Sequence, residues 1–484
     1  MKFFTSFILI TFTSLIAVGQ YTTPDTGVNW TLNDIASNSP SSLSVTGNVY
    51  TLLEDLTIAP NDTLEINSDL TLEIEMDVRV TVFGSFSITA NNVLITAVDP
   101  TSPYDGFRFE EFSNINIQNA TIEYGGGLRV LTEDFILNNS VIQYQVEGVA
   151  TGGAVSLSRG APEITNNDFL FNDTPAIASG ANQSVSPYIF NNHIEGNNQA
   201  NDNKPQINLG GTTTDTLKII QNSIIGDPSL SEAGGIAIAN FFGNDVFAVI
   251  EGNIIQDNRY GLTINGATNY VLIKDNIIED NNTQGLPNLG GSGINLIAAS
   301  NMNKVIVMEN EIRRNLWGVT LQNNAQANFG DDQDNPGGNV FFNNGNNGTT
   351  YALFNNTPNT LMAKHNCWVE GGSGTLAEAE AVISHMVDDP SLGEVIFDPV
   401  NCQLSSADFS STDISLYPNP STGILNIESQ FEFDRVEFYN MKGQQVFSQK
   451  LEHQHILNFN LSAGIYFVKL ISQDSSYIQK LIVK

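Results

Sequence analysis

Asn258-Arg-Tyr-Gly-Leu-Thr-Ile264 aligns residue for residue with Asn315-Leu-Trp-Gly-Val-Thr-Leu321. Tyr and Trp rings join a large apolar face to a polar tip, so exposed rings stack on sugars while neighbouring polar groups fix orientation. The two segments therefore nominate a glycan-contacting strip. Tyr260 and Trp317 are its stacking platforms, Arg259 and Arg313 its polar clamps, and Thr263, Asn295 and Thr320 its small polar neighbours. The alternative is that both rings pack inward at a corner of the fold. Asp331, Asp332 and Asp334, in the turn-rich run Phe329-Gly-Asp-Asp-Gln-Asp-Asn-Pro-Gly-Gly338, could supply oxygen ligands to calcium. A solvated turn is the alternative there. His193 is expected at the surface, and Lys274 and Lys304 in no column of carboxylates.

The elements that must position these groups follow from a repeat. Asn119, Asn139, Asn167, Asn192, Asn222, Asn253, Asn276, Asn310, Asn339 and Asn366 recur at intervals of 20 to 34 residues. Two positions later stands a bulky apolar residue, from Val141 to Trp368, with Thr121 the exception. Such a period means stacked units. Each unit reads as short β-branched strands separated by Asn and Gly, such as Ala248–Ile250, Ile254-Ile255 and Leu262–Ile264. Three strands make one coil. Each pairs in parallel with the coils above and below, at a spacing of about 4.8 Å. The Asn is expected at the bend, tolerating the left-handed conformation and bonding to its neighbours in the stack.

Two further columns keep the same phase. One is Asn172, Asn197, Asp227, Asn258, Asn281, Asn315 and Asn344; the other is Val155, Ile177, Ile207, Ile236, Leu262, Ile294 and Val319. The outward partners within the second are Ser156, Ala178, Asn208, Ala237, Thr263, Asn295 and Thr320, all small, which predicts a flat face. Tyr260 and Trp317 fall two coils apart beside it, about 9.6 Å at the strand spacing. The Gly- and Pro-containing insertion Thr283–Ser292 lies between them and could wall a groove.

With Glu251-Gly-Asn-Ile-Ile255 and Lys274-Asp-Asn-Ile-Ile278 as its motifs, the chain resembles the right-handed parallel β-helix superfamily of pectate-lyase-like fold, over roughly residues 50–370. The resemblance implies an all-β solenoid and, for some members, cleavage of polysaccharides. Lyases of this kind need a base and a cation for the uronate; hydrolases need facing carboxylates. No Asn-Thr-Asp, His-Gly or Arg-Ile-Lys signature is present. Residues 50–98 read as shorter, regular coils. Residues 20–49 should cap the first coils and 371–403 the last, the latter with a helix over Thr375–Met386. Cys367 and Cys402 are expected to pair in an oxidising compartment, closing a loop worth about 3–4 kcal/mol.

Met1–Gly19 has the form of a signal peptide: Lys2, an apolar run, then Ala17 and Gly19 before the cut. A membrane anchor is the alternative; no other stretch approaches the ~20 apolar residues of a transmembrane segment. The net charge is −33, and twelve of the 19 Lys and Arg serve the whole of residues 20–412. That balance excludes nucleic acid as a partner and disfavours polyanionic glycans without bridging cations. The expected function is an exported, non-catalytic protein that binds a polysaccharide, surface glycan or matrix. A polysaccharide lyase or glycoside hydrolase, or a structural surface component, are the alternatives. No cofactor is implied beyond possible calcium.

After a Ser/Asp-rich linker, 404–412, the composition changes. Leu416-Tyr-Pro-Asn-Pro-Ser-Thr-Gly423, Val436–Val446, Leu461-Ser-Ala-Gly-Ile-Tyr-Phe-Val-Lys469 and the terminal Lys480–Lys484 resemble the C-terminal sorting domain of the type IX secretion system. The resemblance implies a small β-sandwich over 413–484, engagement of the type IX machinery, and release or attachment at the outer-membrane surface. Deleting residues 413–484 should leave the protein inside the cell envelope, read by fractionation of cells and medium; undiminished appearance outside would refute the tail's role.

Overall fold

In the computed structural model, residues 20–402 are described apart from 244, 268 and 301–303. So are residues 414–484, apart from 430–432, 441–444, 452–455 and 473–475. The signal segment and the linker lie outside the described residues. The chain divides into two units, up to Cys402 and from Gln403.

The first unit is built by trios of short strands. Val246–Glu251, Ile254–Gln256 and Leu262–Asn265 form one trio, and each buries alternate side chains. Successive trios stack, so that like strands pair. The result is three sheets with 14, 13 and 14 strands among the described residues. We call them leading, middle and trailing, by their order within a coil. The pairings through the stack are parallel, as between Val246–Glu251 and Asn269–Lys274. At the start, Leu43–Thr46 runs antiparallel to Val49–Leu52. This is a parallel β-helix. Its trailing sheet carries the expected inward row from Val155 through Ile207 and Leu262 to Val319, each fully buried. No single coil could enclose that core; stacking removes both its faces from water.

The corner between leading and middle strands corrects the expected register. The left-handed residue is not the ladder Asn but the one before it. Those residues are Asn119, Asn139, Asn166, Asn191, Gln221, Gly252, Asp275, Glu309, Gly338 and His365, all at φ between 50° and 72°. The next residue enters the buried ladder. Asn222 Nδ2 donates to Asn253 Oδ1 (3.0 Å) and to Ile189 O (3.0 Å), and the Asn222 backbone N–H also reaches Asn253 Oδ1 (2.9 Å). This pattern runs from Asn167 to Asn366. In the two coils before Asn167 the ladder positions are Ala120 and Ser140, not Asn119 and Asn139. The anomaly at Thr121 disappears, because the inward residues two places on are Ile122 and Ile142.

The second ladder obeys the same rule at the corner between middle and trailing strands, with one substitution. Asn172 donates to Asn197, and Asn258 to Asn281. Asp227 leaves the column and accepts the Ser229 N–H instead. A charged carboxylate has no donor to give the next rung and would be costly there. Gln206 reaches in from the neighbouring strand, accepts from Asn197 and donates to Asn258 Oδ1 (2.9 Å). The left-handed positions here include the bulky residues Tyr124, Tyr144 and Phe171. Their rings stack in an outer column at 5.2 and 6.4 Å.

At the N-terminal end, Gln20–Thr22 and Asn29–Trp30 already pair with the first full coil. The helix Leu32–Asn38 lays Leu32 and Ile35 on the core. At the other end the helix covers only Leu376–Glu380, capped by Thr375 and Glu378. It stops early because Ile383–Ser384 pairs with the trailing sheet, burying Val382 and Ile383. Cys367 and Cys402 form a disulfide. The second unit has sheets of three and four antiparallel strands. They share a core that includes Leu425, Val436, Phe438, Val468 and Leu470, which makes a small sandwich.

Asn253→Ala should strand the Asn222 amide and two carbonyls inside the stack and lower stability by about 2–4 kcal/mol. Asn139→Gly, at an exposed left-handed position, should change it by less than about 1 kcal/mol. Thermal melting of both variants checks the corrected register; equal losses would refute it.

Candidate functional site

The outward row of the trailing sheet runs Ser156, Ala178, Asn208, Ala237, Thr263, Asn295 and Thr320, rung by rung as expected. It is not a flat face. Ser156, Ala178, Ala237 and Thr320 are buried, so the row is the floor of a recess between flanking turns. Over Thr263, Asn295 and Thr320 the recess becomes a cleft of about 480 Å³. Short residues across several coils are what leave this space.

Tyr260 and Trp317 both line the cleft. They hold one column: Trp317 pairs with Ser292, and Tyr260 stands two residues before the rung that joins Leu262 to Ile294. Neither ring stands free. The Tyr260 ring lies over Gly234, where an added Cβ would fall 2.2 Å from it. Burial pushes the Tyr260 hydroxyl up to about 12. Trp317 packs on Tyr351 (4.5 Å between centroids) and Phe354 (5.5 Å), and its Nε1 donates to Pro287 O (3.0 Å). Both rings are thus packed in part, and both residues remain partly exposed.

The insertion after Asn281 walls one side through Pro287, Asn288, Leu289 and Gly290. Arg259 holds that wall. Its guanidinium donates to Gln284 Oε1 (2.8 Å), Leu289 O (2.6 Å) and Asn203 Oδ1, and the residue is buried. It braces the wall with three of its five N–H groups, each donated to a neutral oxygen. Arg313 is not in the cleft at all. It sits on the middle sheet, gripped bidentately by Glu370 at 2.9 Å and also paired to Glu311. The hydrogen bonds it donates to Glu370 foremost, and the two negative charges, raise its pKa further. Its error of placement is one of columns: Arg259 follows the second ladder Asn, whereas Arg313 precedes Asn315 and points from another strand.

Sequence reasoning missed Asn203, Ile297, Gln322, Phe354 and Asn356, which also line the cleft. Phe354 was within reach, since it is the next rung after Thr320 in the floor row. The irregular stretch between these coils hid that continuity. A separate, smaller hollow of about 230 Å³ lies at the Ala178 and Asn208 part of the row, lined also by Arg129 and Lys204.

The cleft's chemistry is narrow. Its lining contains amides, hydroxyls, aromatic rings, aliphatic groups and the Arg259 guanidinium, with no carboxylate and no imidazole among the described residues. Asn295 Oδ1 accepts from Thr320 Oγ1 and Gln322 Nε2, both at 3.0 Å, so the floor is a connected polar network.

The other nominated groups lie elsewhere. Asp331 Oδ1 accepts the N–H groups of Gln333 (2.8 Å), Asp334 (2.9 Å) and Asn335 (3.1 Å), and Oδ2 accepts from Asn328 (2.6 Å). The Asn335 and Gln333 bonds first hold its carboxyl down at about 2. Asp332 turns to Lys364 and His365. The three carboxylates do not converge, and no group of three potential metal ligands exists among the described residues. His193 bonds Glu195 at 2.8 Å. Lys274, contrary to expectation, does share carboxylates, at 3.1 Å from Asp275, 3.4 Å from Glu309 and 3.8 Å from Glu251. Lys304 lies over the Tyr270 ring.

Residues 415–484 match the family of secretion system C-terminal sorting domains. The tail is a type IX sorting domain, and the chain is exported, to be secreted or held at the cell surface. No helix among the described residues is long and apolar enough to cross a membrane. No curated protein matches the sequence. Among solved structures, a mutant of the periplasmic alginate epimerase AlgG is similar at 13% identity, over 76% of this chain and 82% of that one, with a TM-score of 0.41.

Asp331 gives a pH prediction. Its folded pKa is depressed, so its contribution is present above the usual carboxylate range, near pH 4, and fades as pH falls toward about 2. Hydrogen exchange at Gln333–Asn335 should quicken over that window relative to the pH trend of neighbouring amides. In Asp331→Asn it should be fast already at neutral pH; protection unchanged in the variant would refute the role.

Proposed function

We propose that this exported β-helix is a non-catalytic glycan-binding protein whose binding site is the trailing-sheet cleft. The observation that carries the proposal is the cleft's lining: half-packed Tyr260 and Trp317 beside a floor of Thr263, Asn295, Thr320 and Gln322. Apolar walls with a few convergent amides and hydroxyls suit sugar rings with their hydroxyls.

The same lining argues against chemistry. Glycoside hydrolysis needs paired carboxylates across the scissile bond. Proton abstraction needs a base within hydrogen-bond reach of the proton it takes. The cleft offers a phenol held in its neutral form and a guanidinium occupied by three oxygens.

The test is a polysaccharide panel read three ways: binding, reducing ends, and the ultraviolet absorbance of unsaturated uronates. Binding without either product is expected. Asn295→Leu, which removes a floor amide without touching the apolar core, should weaken binding about tenfold, on the order of the 1.4 kcal/mol expected for a lost hydrogen-bonding partner, with stability lowered by no more than about 1–2 kcal/mol. Product release by the parent protein, or full binding by the variant, would overturn the proposal.

A further inference from the structure

We infer that the cleft takes a largely neutral glycan with an isolated acidic group, a carboxylate or a sulfate ester, and seats that group on Arg259. The inference rests on the glycan-binding proposal and adds the class of sugar chain that the cleft prefers.

The anchor is a cation without an anion. Most Lys and Arg side chains of residues 20–402 sit on a carboxylate, as Arg313 does on Glu370 and Arg314 on Asp280. Arg259 is only 8% exposed, and no carboxylate pairs with it among the described residues. Its Nε donates to Gln284 Oε1 (2.8 Å), its Nη2 to Leu289 O (2.6 Å) and its Nη1 to Asn203 Oδ1. All three acceptors are neutral. A guanidinium has five N–H groups, so one remains on each Nη. A buried charge is costly unless an opposite charge joins it. The three acceptors hold the fork in place and leave its charge uncompensated.

That charge acts in the cleft. Arg259 lines it, and every other lining residue is uncharged. The charge felt at the Tyr260 hydroxyl is that of Arg259, working against the effect of burial. An acidic substituent entering here meets the cation away from bulk water, where their attraction is stronger. Carboxylate and sulfate oxygens suit the planar fork of an arginine. The floor from Thr263 and Asn295 to Gln322 is left to bond hydroxyls.

The same lining sets the number of acids. One cation compensates one anion. Arg129 and Lys204 line a separate hollow, and Lys204 is already paired to Asp202 (2.8 Å). Further acids on the bound chain would face amides and hydroxyls on a protein of net charge −33. A uronate at every sugar therefore gains nothing over a single one.

Calorimetric titration of the secreted protein tests the inference. The probes are glucan, mannan and galactan oligosaccharides in matched forms: neutral, with a single C6 carboxylate, with a single C6 sulfate, and with a carboxylate on every sugar. On the backbone that binds, one acid should lower Kd at least about tenfold, as expected for hydrogen bonds to a charged group. The fully carboxylated form should bind no tighter than the singly carboxylated one. Whichever of carboxylate and sulfate gives the larger gain identifies the acid; a gain from both supports the shared chemistry. Neutral and singly acidic forms binding equally would overturn the inference and leave glycan binding standing. Affinity that climbs with each added acid would overturn the isolated group. Arg259→Gln separates charge from bracing. It should erase the gain from the acid while the neutral form keeps its Kd within about threefold. Equal weakening of both forms would reduce Arg259 to a brace and refute its part. Arg259→Lys, which keeps the charge, should retain some preference for the acid; none retained in a variant that still binds the neutral form would count against the charge. No binding by any probe would remove this inference together with the proposal beneath it.

Discussion

A chain that turns a corner inside a stack must bury a peptide group that no strand can pair. From Asn119 onward the β-helix meets this at two corners of most coils, and the same two-residue device serves both. A residue with positive φ makes the bend, and the amide of the next residue joins the backbone of one coil to the side chain of another. Asn is suited to the second position because it donates and accepts at once. Where the chain supplies Asp227, it is expelled and Gln206 takes the rung. Everything else inherits the register set at these corners: the inward rows, the outward floor, and the column shared by Tyr260 and Trp317.

That dependence explains what could be read from the sequence. The strands, their phase and the trailing-sheet rows were legible because alternation and ladder spacing agree over many coils. The first two ladder positions were misread by one residue because Asn is favoured at both places of the corner. Asn119 and Asn139 take the bend, and Ala120 and Ser140 take the rung. Only the inward Ile122 and Ile142 distinguish the two readings. The helix at 375–386 was overextended because helical composition cannot reveal that an open sheet edge competes for Ile383.

The cleft was half legible. Residues tied to a ladder, such as Tyr260 and Thr263, fell where the phase put them. Arg313 did not, because a charge nearby in sequence here belongs to a different face, and opposite charge decides where it goes. In an acidic protein with few cations, Glu370 and Glu311 claim the guanidinium. The acidic loop at Asp331 misled for a related reason. Oxygen-rich turns resemble cation sites in sequence, but Asp331 uses its oxygens to hold its own backbone.

The insertion after Asn281 sits outside every rung. Asn281 fixes where it leaves the ladder and Ser292 where it rejoins the trailing sheet, while Arg259 and Trp317 clasp it from the coils on either side. Its length and composition are thus uncoupled from the stack. Over generations such a segment can lengthen, shorten or change its residues while the scaffold stays intact. A lineage of these proteins can therefore diversify what it recognises by rewriting about ten residues, with the rest of the coil held constant as a frame.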